Sequence, residues 1–267
     1  MYDRSMPTVH VDGCDIAYEV SGSGPPMVMP IGLGGVGRGW GPVVEMLAAD
    51  FTTIVPDHRG TGASGRPDHG YSIEQHAIDM VAVLEAVRCG PAHIVGSSTG
   101  GAIAQQMALD HADHVRSIAV VDSWAKADDF FLHQFQTRKQ LLLETGSKTY
   151  AAASALVLFS PEFFRDSIDT IQAWIDVSSS KAPEPELFAK RIDMIMAFDV
   201  FDRLPEIDVP TLVIVGSGDT CTPPYFSEQL AEHIPGAVLE VLAGGHLIYK
   251  EAPEAFVSTI RSFALAS

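Results

Sequence analysis

Positive charge is what this chain has least of. Its 267 residues carry 17 Lys and Arg against 34 Asp and Glu, a formal charge of −17 at pH 7. Such a surface repels polyanions, and no basic stretch interrupts it, so nucleic acid is not expected as a partner. The net field says less about small substrates, because the field inside one pocket can differ from that of the whole surface. Cysteine is scarce as well. Cys14, Cys89 and Cys221 are odd in number, widely spaced and without a C-x-x-C pair, which excludes a disulfide framework or zinc knuckle and fits a reducing compartment. No apolar run reaches the roughly 18 residues of a membrane span, and Met1–Pro7 lacks the apolar segment of a signal peptide. Charged residues are only 19% against 46% apolar, a balance that argues for a packed core rather than disorder. The expectation is a soluble cytoplasmic protein with no membrane partner, acting on a small molecule, with a homo-oligomer left open.

What is present is an alternation of strand-like and helix-like segments. Val9–Val20 reads as a hairpin broken at Asp12-Gly13. Met27–Ile31 reads as a buried strand ending in Gly32-Leu33-Gly34-Gly35, Pro42–Ala49 as a helix and Thr52–Val55 as a strand. Ser72 opens a helix with the capping order Ser72-Ile73-Glu74-Gln75. Strand Ala92–Val95, helix Thr99–Asp110 and strand Ser117–Val121 follow. From about Trp124 to Arg203 no strand is convincing, and helices are separated by Gly146, Ser160-Pro161 and Pro183-Glu184-Pro185. The alternation then resumes with strand Thr211–Val215, helix Pro223–His233, strand Ala237–Val241 and helix Pro253–Phe263. Alternation of this kind implies parallel strands with right-handed crossovers. The reading divides the chain into an α/β core, residues 1–123 and 204–267, and a helical lid, residues 124–203.

The chemistry concentrates at Gly96-Ser97-Ser98-Thr99-Gly100, a G-x-S-x-G match between the strand His93-Ile94-Val95 and the helix Gly101-Ala102-Ile103-Ala104. A serine on so sharp a turn presents its hydroxyl above the sheet as a nucleophile. It needs a base, and His246 in Ala243-Gly244-Gly245-His246 follows a strand end, where the catalytic groups of open α/β sheets gather. The base needs an acid to fix its tautomer. Asp219, directly after strand Thr211–Val215, gives the order Ser98, Asp219, His246; Asp122 also ends a strand and is the rival. An oxyanion hole would use the backbone N–H groups of Thr99 and Leu33. Gly32 and the aromatics Trp124, Phe130, Phe131, Phe135, Trp174 and Phe198 are candidates to line the substrate pocket, although aromatics at helical spacing also read as plain core. Trp40 divides in the same way between core and pocket floor. Cys221 reads as a small buried side chain. No cofactor or metal is expected, since the ten histidines show no ligand spacing beyond His111 and His114, which read as a polar helix end.

Taken together, these residues resemble the α/β-hydrolase superfamily along nearly the whole chain. Gly32-Leu33-Gly34-Gly35 with Trp40 is similar to its oxyanion loop, and Pro56-Asp57-His58-Arg59-Gly60-Thr61-Gly62-Ala63-Ser64 to the turn after its next strand. The resemblance implies a mostly parallel eight-stranded sheet flanked by helices with an inserted helical lid, and a hydrolase of esters, lactones or related carbonyl bonds. Two groups are similar in detail: the 3-oxoadipate enol-lactonases, and the aminoacrylate or carbamate hydrolases of bacterial pyrimidine breakdown. The second matches at Gly32–Trp40, Arg59-Gly60-Thr61-Gly62, Tyr71-Ser72-Ile73 and Phe135-Gln136-Thr137-Arg138. Many relatives have His-Gly where this chain has Ile31-Gly32, which removes a side-chain hydrogen bond but keeps the backbone donor. Some pyrimidine-pathway relatives lack the elbow serine, whereas Ser98 is present and favours covalent catalysis. Rival readings are a carbon–carbon bond hydrolase of ring-cleavage products, a cofactor-free haloperoxidase-like activity and a slow-turnover ligand-binding protein; dehalogenation is disfavoured because it requires an aspartate at the elbow.

Overall fold

The computed structural model describes residues 6–267; Met1–Ser5, on which part of the expectation of no leader rests, lie outside them. One sheet holds β1 (Thr8–Val11), β2 (Cys14–Ser21), β3 (Pro26–Val28), β4 (Thr52–Pro56), β5 (Ala92–Ser97), β6 (Val115–Val121), β7 (Thr211–Gly216) and β8 (Val238–Leu242). Their order across the sheet is β1-β2-β4-β3-β5-β6-β7-β8. β1, β2 and β4 pair antiparallel, and every pairing from β4 onward is parallel. The hairpin between β1 and β2 turns at Asp12 and Gly13, with φ of 45° and 69°, the positive pair that a two-residue loop of this twist requires.

Helices α1 (Val43–Leu47), α2 (Ile73–Val87) and α3 (Thr99–Asp110) belong to the first half of the alternation. Between β6 and β7 come α4 (Asp129–Thr145), α5 (Ser147–Leu158), α6 (Pro161–Asp166), α7 (Ile168–Ser180) and α8 (Pro185–Ala197), then α9 (Pro224–His233), α10 (Ile248–Glu251) and α11 (Pro253–Ala266) complete the chain. β5 and β7 are buried at every position, as parallel strands covered on both faces must be. Successive residues feed opposite cores. Val28, Ile54, Ile94 and Ile118 pack with Met80 of α2, Ile103 of α3 and Leu230 of α9. Met27, Val55, Val95 and Ala119 pack with Val43 of α1 and Phe256 and Ile260 of α11.

Local signals act where the sequence placed them. The Ser72 hydroxyl accepts from the Gln75 amide at 3.1 Å and starts α2. Gly146 ends α4, the Ser160 side chain caps α6 ahead of Pro161, and Pro185 opens α8. The stems of the five-helix insertion meet in an antiparallel bridge between Lys126 and Asp199, whose side chains pair at 2.6 Å. Two elements differ from expectation. β3 stops at Val28 instead of reaching Ile31, because Pro30 has no N–H to extend a ladder. A break at Ser167 divides α6 from α7, with no glycine or proline to mark it.

The turn after β4 ties this scaffold together. The Asp57 carboxylate accepts from the Gly37 amide at 2.7 Å and the Ala63 amide at 2.9 Å. Arg59 is fully buried and grips Asp79 of α2 through two bonds of 2.6 and 2.7 Å. Two buried charges are tolerated only as a pair, and losing one partner strands the other. Asp79→Ala is therefore expected to cost about 3–5 kcal/mol in equilibrium urea unfolding; a loss below 1 kcal/mol would show that water reaches Arg59.

Candidate active site

Ser98 stands on the turn between β5 and α3 with φ 54° and ψ −115°, a left-handed backbone that costs a non-glycine residue about 1 kcal/mol or more. The neighbours hold it there. Its amide donates to Val121 O at 2.8 Å, and its carbonyl accepts from Ser123 Oγ at 2.8 Å. The flanking glycines are demanded by close approach. A Cβ on Gly96 would collide with the Gly100 carbonyl, and one on Gly100 with the carbonyl of Pro30.

His246 and Asp219 come from loops after β8 and β7. Those loops interlock backbone to backbone, with Gly218 N on Gly244 O at 2.8 Å and Ser217 N on Leu242 O at 2.8 Å. A side chain on Gly216 would strike the Gly245 and Gly244 carbonyls. His246 Nδ1 lies 2.8 Å from Asp219 Oδ2, with both side chains buried. The carboxylate also accepts from Cys221 N at 2.7 Å, Thr222 N at 3.0 Å and Thr222 Oγ1 at 2.8 Å. That many donors hold the carboxylate rigid, and its contact assigns the proton to Nδ1, leaving Nε2 as the basic nitrogen. Ser98 and His246 line the same cavity. The hydrogen bond between them is not closed in this arrangement, which is common before a substrate is bound.

Asp122, the rival acid, is brought elsewhere. It is fully buried, has φ of 47° and accepts the Gly216 amide on Oδ1 at 2.8 Å, while Oδ2 has no partner. Burial pushes its carboxyl well above the usual carboxylate range, and the charge of Asp219 adds to the shift. It ties the end of β6 to β7 and makes no hydrogen bond to His246.

Leu33 and Gly32 lie beside the serine; a Cβ placed on Gly32 would sit 3.9 Å from Ser98 Oγ. Neither the Leu33 nor the Thr99 amide donates to a group among the described residues, which leaves both free for an incoming oxyanion. Arg191 of α8 holds this loop. Its guanidinium is fully buried and donates to Leu33 O from Nη2 at 2.9 Å and from Nε at 3.3 Å, and to Arg59 O at 2.8 Å. Two buried imidazoles complete its shell, His76 Nε2 and His58 Nδ1, each at 3.3 Å. Burial holds both histidines well below their ordinary pKa, so they are neutral acceptors for the arginine, which itself is lowered to about 10 and stays charged at neutral pH.

The cavity above Ser98 has a volume of about 470 Å³. Gly32, Phe135 and Trp174 line it as expected, whereas Trp124 and Phe130 do not. Trp124 is fully buried against Phe131 and Phe198 as core, and Phe130 is 47% exposed on the outer face of α4. Trp40 is core too, its indole N–H donating to Met29 O at 2.9 Å. Residues not singled out from the sequence take their place on the wall, among them Arg138, Tyr150, Ser154 and Lys250. Arg138 had a signal: it falls on the buried stripe Phe131, Phe135, Arg138, Leu142 of α4, where a charge is out of pattern. Among the described residues no group of three or more His, Cys, Asp or Glu side chains is placed to hold a metal ion, and no helix is long and apolar enough to cross a membrane.

Comparison with known proteins agrees with this fold. The family model of the α/β-hydrolase fold matches residues 25–253. A protein of Azorhizobium caulinodans whose assigned name is carbamate hydrolase RutD is 36% identical over 97% of this chain and 98% of its own. A namesake from Caulobacter vibrioides is 33% identical over the same shares. Among solved structures, the enol-lactonase of Burkholderia xenovorans superposes with a TM-score of 0.90 at 27% identity, covering 97% of this chain and 100% of that one. An N-acyl homoserine lactone degrading enzyme does so with a TM-score of 0.86 at 30% identity, covering 96% and 100%.

The Asp122 shift makes a prediction about stability. A carboxyl whose pKa is raised by folding contributes its stability in full below the unfolded value of about 4, and that contribution is lost as pH rises through the folded value. Asp122→Asn keeps the shape without the titration. Its stability relative to wild type, from urea unfolding at a series of pH values, should rise from acid to alkaline conditions; a flat difference would mean that Asp122 is ionised in the folded protein.

Proposed function

The chain belongs to the α/β-hydrolase fold family, and from that membership we propose that it is a serine hydrolase of an ester, lactone or related carbonyl bond, working through an acyl-enzyme on Ser98. The observation that carries this reading is the buried Asp219–His246 pair at 2.8 Å, opening on the same cavity as a serine held on a strained strand-to-helix turn. Ser98 Oγ attacks the substrate carbonyl carbon while His246 Nε2 takes the hydroxyl proton, and Asp219 stabilises the resulting imidazolium. The carbonyl oxygen, now an anion, rests on the Leu33 and Thr99 amides, the second at the positive end of α3. His246 returns the proton to the leaving oxygen or nitrogen. Water, deprotonated by the same imidazole, then releases the acyl group and restores Ser98.

Residues 124–203 act as a lid on a core of 1–123 and 204–267 in this reading, because Phe135, Tyr150, Trp174 and Phe188 of the insertion all reach the cavity wall. A volume of about 470 Å³ suits a small substrate. The named relatives support the acyl class. A carbamate, an enol-lactone and an acyl homoserine lactone all offer a carbonyl bonded to a heteroatom leaving group.

A fluorophosphonate probe followed by peptide mass spectrometry should label Ser98 alone, and Ser98→Ala should lower turnover of short aryl esters and lactones by about 10⁴-fold or more. Labelling at another residue, or full activity in Ser98→Ala, would remove the covalent mechanism. Tight ligand retention with negligible turnover in wild type would favour a binding protein instead. A second expectation concerns the clamp on the oxyanion loop. Arg191→Met should lower kcat by up to about 10²-fold with little change in KM, since a misplaced donor is felt most in the transition state; a change confined to KM would assign Arg191 to substrate binding.

A further inference from the structure

Resting on the hydrolase reading above, we infer that Glu251 is a positioning residue for the base: its carboxylate fastens the turn between α5 and α6 to the loop that carries His246. Glu251 is the last residue of α10, the short helix that follows His246. Its Oε1 accepts the Ser160 amide at 2.8 Å, and its Oε2 accepts the Ser160 hydroxyl at 2.6 Å. Both oxygens are thus engaged by one residue of the insertion, and a carboxylate makes a stronger acceptor than a neutral oxygen would.

The contact is pressed against the backbone of the base. A Cβ on Gly245 would meet the Ser160 nitrogen at 2.6 Å, Glu251 Oε1 at 2.8 Å and the Phe159 carbonyl carbon at 2.9 Å, and one on Gly244 would meet Glu251 Oε2 at 3.3 Å. The two glycines ahead of His246 therefore pack directly on the carboxylate and on the turn it holds. A Gly-Gly segment has no side chains to anchor it and the most conformational freedom to lose, so its position depends on what lies against it. Weaker ties run alongside. Leu247 N donates to Leu158 O at 3.1 Å, and Thr220 Oγ1, next to Asp219 in the chain, donates to Val157 O at 3.4 Å. One short stretch of the insertion, 157–160, thus touches both the loop of the base and the loop of the acid.

The same stretch reaches the cavity. Leu158 and Phe159 line it together with Ser98, His246 and Leu247. The Phe159 ring stacks on Phe163 at 5.5 Å and meets Trp174, another wall residue, edge-on at 5.4 Å. Ser160 Oγ also accepts the Phe163 amide at 3.1 Å as the cap of α6, so the hydroxyl that Glu251 holds is the one that starts the next helix. A substrate that bears on Phe159 or Trp174 therefore bears on a turn pinned beside the imidazole. Proton transfer from Ser98 to His246 is lost by displacements of about 1 Å, and substrate contact and base position share one hydrogen-bonded turn.

The test joins hydrolysis of a short p-nitrophenyl ester to hydrogen–deuterium exchange of the intact protein. Glu251→Ala should lower kcat by about tenfold to 10²-fold with little change in KM, as a loosely held base requires. Glu251→Gln, which keeps an oxygen for the Ser160 amide, should recover most of the loss. Ser160→Ala, which removes the hydroxyl and keeps the amide, should fall between, and adding it to Glu251→Ala should lower kcat no further. Peptides spanning 157–164 and 243–247 should both exchange faster in Glu251→Ala, while β5 and β7 keep wild-type protection, which separates local release from misfolding. Should Glu251→Ala not fold, Ser160→Ala carries the same comparison with the carboxylate in place. Lys126→Ala, which breaks an exposed ion pair at the stems of the insertion, should leave kcat as in wild type. Unchanged exchange, or faster exchange with wild-type kcat, would overturn the positioning role, and so would an equal loss of kcat in Lys126→Ala. If wild type hydrolyses no ester and Glu251→Ala still loosens both peptides together, the fastening stands and the hydrolase reading falls.

Discussion

At the carboxyl ends of β5, β7 and β8 the chain meets itself at distances that leave no room for a Cβ. Gly96 lies against the Gly100 carbonyl, Gly100 against Pro30, and Gly216 against Gly244 and Gly245. Each contact is backbone on backbone, so no side chain can adjust to relieve an intruder. The consequence is positional. The elbow that carries Ser98 is pressed onto the loop that follows β3, and the loop that carries Asp219 is pressed onto the loop that carries His246. Ser98, the Leu33 loop, His246 and Asp219 belong to four separate segments, yet their spacing is set by packing that cannot slip. Reaction geometry of this kind is lost by displacements of about 1 Å, so the glycines matter as much as the groups they position.

Electrostatics then separates two aspartates that the strand pattern alone leaves equivalent. Asp122 and Asp219 both follow buried strands and both are shielded from water. Asp219 is surrounded by donors, two amides and a hydroxyl besides the imidazole. Asp122 accepts the Gly216 amide at 2.8 Å, has the Ile248 amide close by, and lies near the negative charge of Asp219. Burial, with a like charge beside it, pushes the Asp122 carboxyl up. One carboxyl is thereby held against the imidazole, and the other, its pKa pushed up by burial, fastens β6 to β7.

How much of this was readable beforehand follows the range of the forces. Strands, helix starts and the elbow depend on local pattern, and Ser72, Ser160 and the glycines of Gly96–Gly100 act where the sequence placed them. The end of β3 was missed because one proline outweighed an apolar run. The pocket was read less well, since an aromatic on a helix says nothing about which neighbour it meets. Phe135 and Trp174 face the cavity, while Trp124 is spent on the core with Phe131 and Phe198. Arg138 enters the sequence reading only inside the match Phe135–Arg138 and Arg191 not at all, although both sit on the buried faces of their helices. Charged residues on an apolar stripe are the readable form of a buried polar function, and attention to aromatics hid them.

Those two arginines also show how so acidic a chain carries buried positive charge. Net charge sets the far field, which at physiological salt fades over about 8 Å. Inside a cavity walled by protein, the nearest charges dominate; here the lining includes Arg38, Arg138, Lys181 and Lys250 and no Asp or Glu, although Arg38 itself pairs with Glu19 at 2.7 Å. Arg191 spends its donors on carbonyls of the protein, Leu33 and Arg59, and so stabilises a loop. Arg138 meets only neutral groups and keeps an N–H unused. Both are buried cations without a counter-ion among the described residues, but one has its geometry completed by backbone and the other has not. Burial alone does not separate the two arginines; what each guanidinium donates to does.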